Sequence, residues 1–546
     1  MIARSPTSRA VPINVVGSST FGRYPKISIE KTYNMFMSDD WMVPYAGYQK
    51  AIPNIGLVGR ALYTSTKLGK MVAVFDNKVY LIDIFFDFDT QMSIDTSVTQ
   101  IGELFTSTGV VYIAENNKPQ ICISDGTSIY IYDATLTPAF QAISTPDFIP
   151  GYITFHDTYF IAAATGTNTW RLSGQNDGTT WPATASSVGL LQTKPDNVQG
   201  VVRVPSRGNM IMVLGSTVTE PWYDVGYQLF PYQRSSSYSI DYGCLNPATI
   251  AYTDEIVVWL AINEKAGPVI MYTKGDAPQK ITTDGIDYLF SQLKNPADSQ
   301  AFIYRQDGHL FYHINFYTDN FSLFYDFNNQ KIYFASDENV NYFIANSVAF
   351  FNNQYYFVSK NNGNLYSFDT AFNTYDGEEI PRIRTCRNIR LPSQEYFVAT
   401  DAGFTIEQGT TNYQFSDLGN IFLITEDGEI LITEGSEIFL NTEDGELLET
   451  EDGQLLISEQ SDSESFFLIA EQDNIVSLTP RVDMSISTDG GETFSSYEPY
   501  VLNPIGLRKN KLQWWQLGAC NDLVFQFRFW GFGRFVATDG IVNIRQ

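Results

Sequence analysis

Apolar and polar residues alternate along most of this chain with a period of two, the repeat of a strand whose two faces see different surroundings. The run from Lys70 to Phe75, the pair Asp76-Asn77 and the run from Lys78 to Asp83 set two alternating segments around a two-residue turn signal, which predicts a hairpin. No window carries apolar residues at i, i+3, i+4 and i+7 over three turns, so helix is not favoured. A strand signature ending in Asp recurs as Val79 to Asp83, Ile129 to Asp133, Leu323 to Asp326 and Leu365 to Asp369. The steps of 50 residues from Asp83 to Asp133 and 43 from Asp326 to Asp369 suit one four-stranded propeller blade, with the signature expected on its outer strand. The pattern therefore predicts an all-β chain, a β-propeller with additional β domains, although a series of β-sandwiches would alternate in the same way.

Turn-forming residues and charge divide the chain further. Residues 1–60 carry Pro6, Pro12, Gly17, Pro25, Pro44 and Pro53 and read as an extended arm. Residues 61–405 read as the propeller-like body, 406–478 as an acidic insertion, and 479–546 as a C-terminal β segment that completes the body. Inside the insertion a short unit starts at Thr425, Thr433, Thr442, Thr450 and Ser458, in steps of 8, 9, 8 and 8 residues. Each unit is an acidic, mostly Asp-Gly, turn followed by about four strand residues, too few to bury an Ile and Leu face alone. Stacking between copies of the chain is the expected remedy, giving an elongated homo-oligomeric tip.

Composition sharpens this picture in two places. Of 546 residues 15% are aromatic and 17% charged, as many half-buried strands require. The formal charge is −27, and 20 Asp and Glu lie between Glu395 and Asp473 while no Lys or Arg occurs between Arg390 and Arg481. The acidic turns, with Glu426, Asp427, Glu443, Asp444, Glu451 and Asp452, form a candidate tip or lumen surface. Dense carboxylates raise the question of calcium, but the Gly-Gly-x-Gly-x-Asp pattern is missing and a solvated surface is the better reading. Cys122, Cys244, Cys386 and Cys520 are widely spaced, which suggests reduced structural thiols. Met1 to Pro6 lack the apolar stretch of a secretory signal and no run approaches the roughly 18 residues of a membrane span, so no stable membrane insertion is expected.

Few segments point to chemistry. Ser487, Asp489, Gly491 and Phe494 fit an Asp-box turn, in which the carboxylate accepts backbone N–H bonds and the aromatic ring anchors the hairpin; Ser173 to Trp181 is a looser relative. Asp boxes occur in propeller-fold sialidases, so a glycosidase or depolymerase is the enzyme alternative, but no arginine trio for a substrate carboxylate stands out. His309 and His313 share a strand face, and packed strand histidines are commoner than a metal pair; His156 stands alone. The P-loop, the nucleophile elbow and the H-E-x-x-H zinc motif are all missing. Arg382, Arg384, Arg387 and Arg390 gather in one stretch, and Arg508, Lys509 and Lys511 in another. They suit DNA phosphates or a neighbouring subunit's acids, and the overall acidity favours the subunit.

Several stretches in order resemble the packaged-DNA stabilisation, or tail nozzle, proteins of short-tailed bacteriophages. They are Tyr33 to Phe36, Gly47-Tyr48, Met71 to Asp83, Ile211 to Glu220, Pro231 to Arg234, Tyr242 to Leu260, Val269 to Tyr272 with Ala277 to Thr282, Met484 to Phe494, Leu512 to Gly518 and Phe525 to Arg528. The acidic repeat departs from the family pattern as an insertion of about 65 residues between two strands of the last domain. The resemblance implies a structural virion protein and not an enzyme, assembled in the host cytoplasm, with no cofactor. It also implies a ring of six copies below the head-to-tail connector, with the N-terminal arm docked there, tail spikes or fibres and a plug or needle as further partners, and transient contact with genomic DNA. A receptor-binding adhesin is the other alternative. If short acidic units need copies of themselves, the isolated segment 410–480 should gain β circular dichroism when fused to a trimeric or hexameric scaffold; a fusion that stays unfolded on both scaffolds removes that idea.

Overall fold

A computed structural model describes residues 8–21, 30–87, 92–227, 229–235, 239–408, 422–424, 430–432, 480–502, 509–531 and 534–545. Hairpin follows hairpin because the turns carry residues that tolerate positive φ. Asn352 and Asn353 (φ 45 and 64) join Ala345–Phe351 to Gln354–Ser359, and Asp307 with Gly308 (φ 49 and 83) joins Ser299–Gln306 to His309–Phe316. Two successive positive φ values give the turn whose twist matches that of the flanking strands.

These hairpins build seven blades in chain order, each with four strand positions. Blade 1 is Gly59–Ser65, Lys70–Phe75, Lys78–Asp87 and Met92–Glu103. Blade 2 runs from Tyr112–Glu115 to Phe140–Ile143, blade 3 from Pro150–His156 to Val188–Leu190, and blade 4 from Val198–Arg203 to Tyr232–Arg234. In blade 5 the inner position is divided between Gly243–Cys244 and Ala251–Tyr252, both paired with Val257–Ile262. Blade 6 is Ser299–Gln306 to Lys331–Ala335. Blade 7 has only three consecutive strands, Ala345–Phe351, Gln354–Ser359 and Gly363–Asp369, and takes its fourth, Gly47–Gly56, from the N-terminal side of the chain. Apolar clusters lie between successive blades, among them Val72, Val74, Ile121 and Ile123 between blades 1 and 2, and Leu62, Phe75, Phe351 and Val358 between blades 1 and 7. The last contact closes the ring, and the all-β propeller is the fold the alternation predicts. The recurring Asp-terminated signature falls on the third strand of its blade, however, not on the outer one.

Polar clamps hold the connections between blades. Asp76, in the turn after Lys70–Phe75, accepts from the backbone N–H of Leu57 (2.9 Å) and Val58 (3.0 Å), the linker from blade 7 to blade 1. Asp196 likewise accepts from the N–H of Thr217 (2.6 Å) and Val218 (3.2 Å) in blade 4. Arg60, only 3% exposed, donates to the carbonyls of Asp76, Thr106, Thr108 and Gly109 at 2.7–2.9 Å and so fixes the linker to blade 2.

The remaining strands form a β-sandwich on the rim of blade 6. One sheet has the order Ser8–Ile13, Gly540–Arg545, Phe397–Gln408, Phe535–Ala537, Trp41–Pro44 and Met35–Ser38, with Lys509–Cys520 on the far side of Phe397–Gln408. The other continues blade 6 outward through Lys31–Tyr33, Arg382–Thr385, Val524–Trp530, Arg481–Ser487 and Glu498–Val501. Phe525, Phe527 and Phe529, spaced by two, point inward against Phe397, Phe404, Leu512, Trp514 and Phe535.

Two expected boundaries are corrected by this arrangement. Ser8–Ile13, Lys31–Tyr33, Met35–Ser38, Trp41–Pro44 and Gly47–Gly56 are paired into sheets rather than forming an extended arm, because an unpaired run of backbone polar groups is better satisfied in a ladder. The segment after 479 builds the sandwich together with Arg382–Gln408 and does not complete the propeller. The acidic repeat lies largely outside the described residues; within it Phe422–Ile424 pairs antiparallel with Ile430–Ile432.

The closing pair is tight. A Cβ on Gly363 would meet the Gly56 carbonyl oxygen at 1.7 Å. Replacing Gly363 with Ala should therefore push Gly47–Gly56 off blade 7 at a cost of about 1–3 kcal/mol, read as a lowered melting temperature; an unchanged melting temperature would show that the ring does not depend on this pairing.

Candidate functional site

The four arginines singled out in the sequence lie on and after strand Arg382–Thr385, at the seam between propeller and sandwich. Arg384 is fully buried and pairs in register with Thr32 on one side and Phe527 on the other. Its Nε donates to the Val15 carbonyl (3.1 Å), Nη1 to Ser18 O (3.0 Å) and Thr32 Oγ1 (3.1 Å), and Nη2 to Asn14 O (3.0 Å), with Glu30 Oε2 at 3.6 Å. The fork of the guanidinium thus gathers three carbonyls of the N-terminal segment. Gly17 passes so close that a Cβ there would fall 2.0 Å from Nη2. Arg382 is buried too, 5.8 Å from the ring of Phe535, and burial pulls its pKa down to about 10. Neither side chain reaches solvent, so the expectation of phosphate or neighbour contacts is corrected for these two. Arg387 and Arg390 are exposed, and Arg390 pairs with Asp522.

The Asp-box turn lies beside that pair, joining Arg481–Ser487 to Glu498–Val501. The Asp489 carboxylate accepts from the N–H of Glu492 (2.9 Å) and Thr493 (3.0 Å) and from the hydroxyls of Ser487 and Thr493 (2.6 Å each), while Ser487 Oγ accepts from Gly491 N (2.7 Å). These bonds hold the Asp489 carboxyl well below the usual carboxylate range. Phe494 is half-buried rather than set in the core. In the looser relative Asp177 accepts from Thr179 N (3.0 Å), and Trp181 packs at the edge of the cluster between blades 2 and 3.

The histidines are tied into local packing. His309 Nδ1 lies 2.7 Å from Asp326, and His156 Nδ1 lies 2.9 Å from the Tyr232 hydroxyl. His313 is stacked on Phe302 at 4.6 Å, and burial pushes its pKa down to about 3. Among the described residues no three His, Cys, Asp or Glu side chains converge as metal ligands. The four thiols are buried and free; burial raises Cys244 and Cys386 to about 12, which leaves little thiolate at neutral pH.

A cavity of about 490 Å³ opens where blades 2 to 5 meet, beside the first strands of blades 2, 3 and 4, lined in part by Tyr112, Asp125, Tyr152, Asn197 and Gln199. The Asp125 carboxylate accepts from Thr106, Thr127, Ser128 and Tyr130 at 2.7–3.3 Å, so it ties blade 2 to the preceding linker and does not face a paired acid. The candidate tip residues Glu426, Asp427, Glu443, Asp444, Glu451 and Asp452 lie outside the described residues. Sequence reasoning missed Arg60 and the linker carboxylates Asp76 and Asp196. Only Asp76, in a recognised turn, carried a local signal.

Residues 88–373, from the outer hairpin of blade 1 to just past blade 7, match the phage-stabilisation family, described as bacteriophage P22 Gp10, beta-propeller. The chain belongs to this family. The phage-stabilisation family comprises tail nozzle, DNA-stabilising proteins of the virion tail, and the match takes in just over half of the chain's 546 residues. The sandwich lies almost wholly outside the matched span. No curated protein matches the chain. Among solved structures it is similar to the N-terminal domain of Nup159 (10% identity, 62% of this chain, 98% of that chain, TM-score 0.38). It is similar also to the virginiamycin B lyase of Staphylococcus aureus (11% identity, 59% of this chain, 98% of that chain, TM-score 0.39).

Replacing Arg384 with Ala would leave the three carbonyls and Glu30 facing an empty site. A loss of about 3–5 kcal/mol is expected, the range for breaking a buried charged array, measured by denaturant unfolding. Lys at the same position should restore little, since one ammonium does not reproduce the fork.

Proposed function

We propose that this chain is a tail nozzle subunit whose copies, six in number, form a ring below the head-to-tail connector, retain the packaged genome and conduct it during ejection. The observation that carries this reading is the family match, which spans most of the propeller. Two further features support it. The propeller is closed on itself and the sandwich shares a sheet with blade 6, a construction suited to a pressurised wall. The net charge of −27 is concentrated in one segment that has no compensating base.

A negatively charged lumen does not bind phosphates by counterion release, so a polyanion passes it without being held. In this reading retention comes from narrowing and from a plug or needle seated in the ring, not from recognition of bases. Tail spikes or fibres complete the tail. Arg387 and Arg390 are offered as subunit or phosphate contacts, since their side chains are exposed.

Virions made without this chain should fill their heads and then lose DNA, and particles carrying it should show its density around the tail axis in cryo-electron micrographs. Density away from the axis would remove the nozzle reading. Changing Glu426, Asp427, Glu443, Asp444, Glu451 and Asp452 to Lys should slow ejection at low salt, with the delay shrinking as salt rises; ejection at the native rate would remove the lumen role of the repeat.

A further inference from the structure

Sheet edges invite unwanted pairing, and most of the edges on the rim of this fold are guarded. Blades 2 to 5 end in Phe140–Ile143, Val188–Leu190, Tyr232–Arg234 and Gln279–Lys280, strands of 4, 3, 3 and 2 residues, too short to template a partner. The outer strand of blade 6 is covered by Lys31–Tyr33, and that of blade 7 by the hairpin of Thr374–Tyr375 and Glu378–Glu379.

Two strands of 12 residues depart from this pattern. Met92–Glu103 ends blade 1 with one side on Lys78–Asp87, and Lys509–Cys520 ends a sandwich sheet with one side on Phe397–Gln408. Among the described residues neither strand has a partner on its other side. Their bulges leave residues 95–100 and 509–515 in unbroken register, so each presents a straight run of backbone donors and acceptors. Residues 96–100 of the first strand are all exposed and carry neither Pro nor Lys, the usual guards of an edge, whereas the second carries Lys509 and Lys511 at one end and none over 512–520.

The two strands also differ in charge. The strand Met92–Glu103 carries Asp95 and Glu103 and no base, with Glu103 in register opposite Lys78. From Pro499 to Asn521 it carries Arg508, Lys509 and Lys511 and no acid. Lys509 is 71% exposed on its side chain despite Glu407 at 3.5 Å. Val98, between Asp95 and Glu103, and Trp515, beyond Lys511, offer apolar surface beside the charges, 38% and 63% exposed.

We propose that Met92–Glu103 of one copy lies edge to edge with Lys509–Cys520 of the next, continuing the sheet of blade 1 into the neighbour's sandwich. The occupant is a second copy of this chain because the chain itself carries both halves of the complement, an acidic edge and a basic edge of equal length. The edges sit on different domains, blade 1 and the sandwich attached to blade 6. The contact is therefore head to tail, the kind that closes into a ring when its rotation allows. This inference rests on the ring assembly proposed above and says how the ring is joined.

The test uses purified full-length protein and sedimentation velocity. One variant carries Lys509→Glu with Lys511→Glu; a second carries Gln100→Lys with Glu103→Lys, all at exposed positions. Each alone should raise the dissociation constant of the oligomer about tenfold or more, since like charges would then face each other. The four changes combined, or an equimolar mixture of the two variants, should re-form it. Matching circular dichroism and melting temperatures show that the variants are folded. Failure of both the combined protein and the mixture to re-form, while the native protein does, overturns the contact and leaves the nozzle reading standing. Loss from the first variant only assigns the basic edge to another occupant, such as the acidic segment 406–478, and also overturns it. A native protein that never oligomerises, free or on the tail, overturns both.

Discussion

Strand Gly47–Gly56 lies against Gly363–Asp369, and the propeller stays shut through that pairing. Six blades are built from consecutive chain, but the seventh has three consecutive strands and would end in a bare edge without the fourth. The interface of blade 7 on blade 1, with Leu62, Phe75, Phe351 and Val358, then has its strands in place on both sides. Because the closing strand precedes blade 1 in the chain, the ring cannot be completed until blade 7 exists. Such non-local pairing is reached only after the loop entropy of the intervening chain has been lost.

The same segment ties the two domains together. Just before Gly47 the chain runs through the sandwich strands Met35–Ser38 and Trp41–Pro44, and just before those it crosses between sheets at Asn34. Asn34 adopts φ 53 and is wholly buried, with its amide donating to Ser336 Oγ and Pro381 O and accepting from Ser336 N. Arg384 performs a similar task for an earlier part of the chain, by collecting the carbonyls of Asn14, Val15 and Ser18. Both are polar groups whose hydrogen bonds are met inside the protein, which is what allows them to be buried and makes each costly to remove.

For a tail component this construction has a mechanical consequence. A sheet that runs without interruption from blade 6 into the sandwich transmits load through backbone hydrogen bonds rather than through a flexible linker. Three of the 34 bases, Arg60, Arg382 and Arg384, are buried and turned toward the chain's own carbonyls and rings. Positive charge at these three positions stabilises the fold and is withheld from any nucleic acid.

The alternation of residues by itself determined the strand content, the hairpin at Asp76-Asn77 and the blade-length repeat, because side-chain direction along a strand is a local property of period two. The Asp-box turn was legible for the same reason, since Ser487, Asp489 and Thr493 make their bonds within a few residues. Only the tertiary structure decided that residues 8–21 and 30–56 are woven into two domains and that the C-terminal segment builds a sandwich. It alone decided that Arg384 is a core residue. An arginine in an alternating strand reads the same whether it faces water or three distant carbonyls, and a closing strand carries no mark of the partner it will meet hundreds of residues later, because both depend on contacts the local pattern does not contain.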